Sequence, residues 1–294
     1  MYTLFFDTDC DITPAIAKEY GAKLISMPYE INGKEIRPYV DFDEFDDTAF
    51  YNELREIVAK GKKLPSTSAL SPIDYRNYFE PEFKEGKDVL YVHFSAAMSA
   101  TFNALRLAKE ELEKEYPGRK IHLIDTKGIT LGSYAICKQI GQLYKDGKTV
   151  DEIIEQSKYI IDHQALYFFA DNLKFFAKSG RVTGFQAMMG GIIGIRPIIY
   201  IGDDGKMTSI GKAVGRTKAI NKLLEYVDNL GDNIKDHLVA IAHCGAPELV
   251  EKVIIKLKEK YGDDLNVEVV PVNPTAGSHC GPDSLGITFH AIHR

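Results

Sequence analysis

Three short segments combine residue types that can hold an anion. They are Ser66-Thr67-Ser68-Ala69-Leu70-Ser71-Pro72, Ser95-Ala96-Ala97-Met98-Ser99-Ala100-Thr101 and Gly277-Ser278-His279-Cys280-Gly281-Pro282. The first two are rich in hydroxyls and small residues and precede expected helix N-termini. Hydroxyls and free backbone N–H groups there suit a carboxylate or phosphate. The same residues are also ordinary helix caps, and Ser71, before Pro72 and three residues ahead of Asp74, reads as one. The glycines around His279 predict a tight, exposed loop rather than a core site, and a lone histidine serves structure as readily as a ligand. A further run, Ala187-Met188-Met189-Gly190-Gly191-Ile192-Ile193-Gly194-Ile195, is almost entirely apolar with three glycines. It reads either as a buried helix packed closely at glycine or as the wall of an apolar tunnel, where methionine adapts. An apolar wall opposite a small polar anchor suits an amphiphile with one charged end.

Other chemistries lack their signatures. Gly147-Lys148-Thr149 is no phosphate-binding loop, because the required upstream glycine is Gln142. G-x-G-x-x-G, G-x-S-x-G and H-E-x-x-H are all missing, which lowers dehydrogenase, lipase and metalloprotease readings. Cys10, Cys137, Cys244 and Cys280 form no C-x-x-C pair and have no histidine at zinc-like spacing. No metal or catalytic residue is therefore assigned.

The chain has 294 residues, 45% apolar and 27% charged, with a formal charge of −6. That composition belongs to a globular protein and gives no global invitation to nucleic acid. No apolar run reaches membrane-spanning length, and scattered thiols fit a reduced compartment, so a cytoplasmic protein is expected. The absence of a long exposed apolar stripe points to a monomer.

Positioning these loops requires an alternation of strands and helices. Strands are expected at Tyr2–Phe6, Lys23–Ile31, Asp88–Phe94 and Ile121–Asp125. Helices are expected after Thr13-Pro14, over Asp47–Lys60, from Ser71, and over Thr101–Tyr116 and Leu131–Tyr144, with another signalled by the Thr149/Glu152 box. This is the pattern of a mainly parallel sheet. Later segments change character. Leu166–Ala170 is a short strand and Asn172–Gly194 is helix-like. Ile195–Ile201 and Met207–Lys212 flank a Gly202-Asp203-Asp204-Gly205 turn, and Thr217–Leu230 and Pro247–Tyr261 are helices. Leu238–His243, Val267–Val272 and Gly286–Ile292 are strands. Hairpins plus helices predict a mixed sheet. An N-terminal α/β domain over 1–165 and a C-terminal α/β domain over 166–294 are expected.

Taken together and in order, the motifs resemble the DegV family. Asp7-Thr8-Asp9-Cys10-Asp11 is similar to its D-S-T-S-D loop, Pro65–Pro72 to its T-S-x-P-S segment and Phe94–Phe102 to its S-S-G-L-S-G-T-Y segment. Asp125-Thr126-Lys127 with Leu131-Gly132 resembles its D-S-K…G stretch. Asn172–Gly184, leading to Arg196-Pro197, and Gly277–Gly286 resemble two further signatures. The resemblance runs from residue 7 to 286 and covers nearly the whole chain.

The resemblance implies two α/β domains and a bacterial lipid-binding protein that holds one long-chain fatty acid in a tunnel between them. It implies no cofactor besides that ligand, and in some members a role as acyl-carrying subunit of a fatty acid kinase in phospholipid metabolism, with a separate ATP-binding kinase subunit. Carried over by position, Thr67, Ser68, Ser95, the backbone of Ala96 and His279 would hold the carboxylate. Lys178, Arg181 and Arg216 lie in segments resembling the family and are candidates for partner contact, or else ordinary solvated or internally paired charge. Three departures bear on the head group: Ala96 stands for a serine, Leu70 for a proline, and Asp283 for a glycine, where it would bring a carboxylate close to His279. The rival function is a serine or cysteine hydrolase or acyltransferase using Ser95 or Cys280 with His279.

Overall fold

The computed structural model describes residues 1–183 and 194–294. Most of the apolar Ala187–Ile195 run, a candidate tunnel wall, therefore lies outside the described residues.

Three sheets organise the chain. The first contains β1 (Tyr2–Asp7), β2 (Lys23–Ile25), β6 (Asp88–His93) and β7 (Ile121–Asp125) in the order β2-β1-β6-β7, all parallel. Its central strands read Leu4-Phe5-Phe6 and Val89-Leu90-Tyr91-Val92, continuous apolar runs that are fully buried. That is what a parallel strand covered on both faces requires. β1 is followed by one crossover to each side, so β1 and β6 diverge at a topological switch point. In open sheets of this kind the crevice lies beyond the C-terminal strand ends. Here those ends lead into Thr8–Asp11 and Phe94–Met98.

The expected strand over Lys23–Ile31 is divided. β2 stays in the parallel sheet, while β3 (Tyr29–Ile31) turns at Asn32-Gly33 into β4 (Lys34–Ile36) and pairs on its other side with β5 (Ser66–Thr67). The resulting small antiparallel sheet carries Thr67. The helices are α1 (Pro14–Glu19), α2 (Asp47–Ala59), α3 (Pro72–Lys84), α4 (Thr101–Glu115), α5 (Leu131–Lys145) and α6 (Val150–Asp162). Both capping boxes form, Ser71 with Asp74 and Thr149 with Glu152.

Every strand of the third sheet follows Asp162. β8 (Gln164–Phe169), β9 (Val182–Thr183), β10 (Ile195–Ile201), β11 (Met207–Val214), β12 (Val239–His243), β13 (Val267–Pro271) and β14 (Leu285–His290) take the order β13-β12-β14-β8-β10-β11-β9. Parallel and antiparallel pairs coexist, with the β10–β11 hairpin as expected. α8 (Arg216–Leu230) and α9 (Pro247–Tyr261) pack on it. Of the stretch Asn172–Gly194 read as helix-like, Leu173–Ser179 form α7, and residues 184–193 lie outside the described residues. Gly180 ends α7 in the left-handed region, and β9 follows.

The largest departure concerns the loop around His279. Residues Pro274–Cys280 are helix α10, capped by Asn273 accepting from the Ala276 N–H, with Pro274 at its first position. Residues 274–278 are buried, so the exposed loop expected there is a partly buried helix. Its glycines have distinct work. Gly277 lets the Tyr51 hydroxyl approach to 2.6 Å from where a Cβ would stand. Gly281 ends the helix at φ +69°, against the Phe175 ring.

Several bonds join the early sheets to the third. Tyr51 donates to the Val272 carbonyl at 2.8 Å, Thr275 to the Met27 carbonyl at 2.8 Å and Ser95 to the Gly205 carbonyl at 2.8 Å. Asp11 accepts from both the backbone N–H and the side-chain amide of Asn273, at 2.9 and 2.7 Å.

Two predictions follow from this packing. Gly281→Ala adds a methyl into Phe175 at a positive φ and should cost roughly 2–5 kcal/mol; urea unfolding would measure it, and an unchanged midpoint would contradict the packing. Burial pushes the Asp11 carboxyl up to about 7 from 3.8. A carboxyl raised by folding contributes stability that is complete below its unfolded value and lost as pH rises through the folded one. Between about pH 5 and about pH 8 the wild type should therefore lose a few kcal/mol more than Asp11→Asn. Equal losses in the two proteins would show that Asp11 does not titrate in this range.

Candidate functional site

A cavity of about 930 Å³, counted together with the open solvent at its mouth, lies where the C-terminal ends of β1 and β6 face the third sheet and α10. Its walls are mainly apolar: Met27, Phe94, Met98, Ile129, Leu131, Leu166, Phe168, Phe176, Met207, Ala242 and Val272 all reach it. Thr67, Ser68, Arg181 and His279 also line it and bring polar groups.

Thr67 is delivered by β5 and His279 by the last turn of α10. Their side chains, 212 positions apart, meet with Oγ1 and Nε2 at 2.9 Å. Burial, and then the charges of Arg181 and Lys178, push the His279 imidazole down to about 4. It is therefore neutral at physiological pH. When its proton sits on Nε2 the ring donates to Thr67, leaving the threonine hydroxyl proton available to an acceptor in the cavity. The nearby cations give this end a positive potential. Lys178 donates to the carbonyls of Leu64 at 2.5 Å and Pro65 at 2.8 Å, which tie α7 to the Thr67 segment. Arg181 donates to the Ser179 carbonyl at 2.7 Å. Neither cation has a carboxylate partner among the described residues.

The other residues singled out from the sequence are placed differently. Ser68 lines the cavity but is exposed, and its hydroxyl donates to Glu35 at 2.6 Å. Ser95 is fully buried and caps a short turn by accepting from the Ala97 N–H, while its own proton goes to Gly205. The Ala96 N–H donates to Asp125 at 3.3 Å. Neither Ser95 nor Ala96 is among the residues lining the cavity. Leu70 is buried, with its N–H donated to Thr101.

Arg216 is engaged rather than free. It pairs with Asp171 at 2.9 Å and with Asp283 at 2.9 Å, while Arg196 holds Asp171 and Arg55 holds Asp283, both at 2.6 Å. Asp283 thus points into a charge ladder and not, as its position in sequence suggested, at His279. Its φ of 68° explains why a glycine suits that position, and the two arginine contacts compensate for the left-handed backbone.

Ser95 and His279 do not form the nucleophile–base pair of a hydrolase. The Ser95 proton is committed to Gly205, and His279 Nε2 is engaged by Thr67. No group of three or more potential ligands among the described residues could hold a metal ion. No helix among them is long and apolar enough to cross a membrane.

Sequence reasoning missed Asp9, Thr101, Thr275 and Ser284 on the cavity wall. Asp9 lies in a loop already matched by pattern, and only its place at the C-terminal end of β1 could have marked it.

Comparison with known proteins agrees with this architecture. A DegV-domain protein of Clostridium perfringens is 30% identical over 292 residues, covering 98% of this chain and 97% of its own. A DegV-family structure from Ruminococcus gnavus, described with vaccenic acid, superposes with a TM-score of 0.82 at 25% identity, covering 98% of this chain and 99% of its own. The Streptococcus pneumoniae fatty acid kinase B3 protein, loaded with linoleic acid, gives 0.80 at 17% identity over 99% of both chains. The DegV family model, described as an uncharacterised protein, matches residues 2–291. This chain, with its parallel sheet, its mixed sheet and the cavity they border, belongs to the DegV family.

Proposed function

We propose that the protein binds one long-chain fatty acid, with the acyl chain in the cavity between an N-terminal unit (1–165) and a C-terminal unit (166–294). The observation that carries this reading is a largely apolar cavity with one polar, cationic end. An acyl chain contributes about 0.8 kcal/mol for each methylene removed from water, so a long chain alone supplies tight retention. The carboxylate needs hydrogen bonds to offset several kcal/mol of desolvation. The Thr67 hydroxyl, backed by neutral His279, supplies one, and Arg181 and Lys178 supply the field. Fatty acids named with related structures support the same class of ligand.

We further infer that the protein is a non-catalytic carrier that presents the carboxylate to a separate ATP-binding kinase subunit, which forms the acyl phosphate. The sequence shows neither the G-x-x-x-x-G-K-[ST] nor the G-x-G-x-x-G signature of a nucleotide site, and the Ser95 hydroxyl is held by Gly205 rather than by His279. Lys178 and Arg181, lacking carboxylate partners, are the better candidates for meeting a kinase or its phosphates. Arg216 serves the fold, through Asp171 and Asp283.

Native mass spectrometry of the recombinant protein should show one bound acyl chain per molecule. An unliganded mass that persists after incubation with fatty acid would exclude the reading. Thr67→Ala and His279→Ala should each weaken binding by about 1.5–3 kcal/mol, the value of a hydrogen bond to a charged group. Kinase-dependent acyl phosphate formation should fall further than binding, because the apolar wall still retains the chain while the carboxylate loses its orientation. Unchanged transfer in both variants would contradict the assignment. Arg181→Ala should slow transfer most at low salt, at unchanged fold, with the difference from wild type shrinking as salt screens the contact, whereas Arg216→Ala should lower the melting temperature. The reverse pattern would exchange their roles.

A further inference from the structure

The loop after β1 holds three buried carboxyl groups, Asp7, Asp9 and Asp11. Two have clear structural partners. Asp7 accepts from the Tyr91 hydroxyl at 2.9 Å and the Phe94 N–H at 3.2 Å, and Asp11 holds Asn273. Asp9 has neither kind of support. It is 6% exposed, and its Oδ1, like one carboxyl oxygen of Asp7 and of Asp11, has no hydrogen-bond partner among the described residues, but Asp9 alone of the three lines the cavity. Three other polar side chains on the wall are already engaged. Thr101 pairs with Tyr75 at 3.0 Å, Thr275 donates to the Met27 carbonyl and Ser284 to the Cys280 carbonyl at 3.2 Å. The Asp9 main chain is fixed, its carbonyl accepting from the Thr130 N–H at 2.7 Å.

We propose that Asp9 is a hydrogen-bonding subsite in the acyl cavity that selects a chain carrying a mid-chain hydroxyl group. This inference rests on the fatty-acid reading above. Burial, reinforced by the neighbouring charges of Asp7 and Asp11, holds the Asp9 carboxyl well above the ordinary range. This favours the neutral acid, which has a proton to donate and an oxygen to accept. A plain methylene chain satisfies neither group and leaves a buried polar group without a partner. A hydroxyl can do both at once, whereas a keto oxygen can only accept.

The position along the acyl chain follows from α10. Asp11 holds Asn273 at the helix start, and His279 sits in its last turn. A rise of 1.5 Å per residue separates Asn273 from His279 by about 9 Å. The Asp9 loop is therefore several carbons away from the carboxylate.

The test is competition for the intact, delipidated protein between stearic acid and a panel of its mid-chain hydroxy derivatives, read by native mass spectrometry. Wild type should favour at least one hydroxy acid on the order of tenfold. Asp9→Asn, which can still donate and accept, should keep the preference. Asp9→Val should abolish it and retain stearic acid at least as well. Stearic acid bound by wild type with no preference for any hydroxy isomer would overturn this inference alone, as would a preference that survives in Asp9→Val. Binding of neither class would overturn the fatty-acid reading together with it.

Discussion

A seven-residue helix, Pro274–Cys280, is held at both ends by residues more than two hundred positions earlier in the chain. At its start Asp11 takes two hydrogen bonds from Asn273, and in its last turn His279 meets Thr67. Between them Gly277 lets the Tyr51 side chain pack against the helix, and Thr275 bonds the Met27 carbonyl. A helix this short is unstable alone, because too few hydrogen bonds offset its nucleation. Its existence depends on these tertiary contacts, and the cavity depends on it in turn, since Thr275, Ala276, His279 and Cys280 line one side.

Charge is sorted around that helix. The ladder Arg196–Asp171–Arg216–Asp283–Arg55 matches three cations with two carboxylates and ties β10, α8, the loop before β14 and α2 together. Networks of partly buried pairs gain more from geometry than isolated surface pairs do. Lys178 and Arg181 stand outside it, close enough to depress the basicity of His279. The positive field at one end of the cavity is thus what remains after structural pairing is complete. An anion bound there would complete it.

Apolar and polar demands on the cavity wall are met by different parts of the backbone. Strand ends and helix faces supply Phe168, Leu166, Leu131 and Met207, whose side chains need only volume. The hydroxyls of Thr101, Thr275 and Ser284 turn to protein partners, which keeps much of the wall apolar despite its composition. Asp9 breaks this rule, which is what gives it meaning.

Much of the fold could be read from sequence because its signals are local. Continuous apolar runs mark β1 and β6, Asn32-Gly33 marks a hairpin, and the Ser71/Asp74 and Thr149/Glu152 boxes mark helix starts, each within a few neighbouring residues. The loops bordering the cavity were legible as a pattern in order along the chain. What could not be read was decided by contacts between distant segments. Lys23–Ile31 looks like one strand and becomes two, because its halves pair with different sheets. The helix around His279 carries no apolar periodicity and forms only where Asp11 and Thr67 hold its ends. Ser95 and Thr67 look alike in sequence, yet the Gly205 turn takes the Ser95 hydroxyl while Thr67 lies on the cavity wall beside His279. Asp283 sits four residues from His279, but Arg55 and Arg216 draw its carboxylate elsewhere. Residue type and spacing determined which groups were available. Which of them face the cavity was decided by the tertiary structure, because each polar side chain goes to the strongest partner that folding brings within about 3 Å.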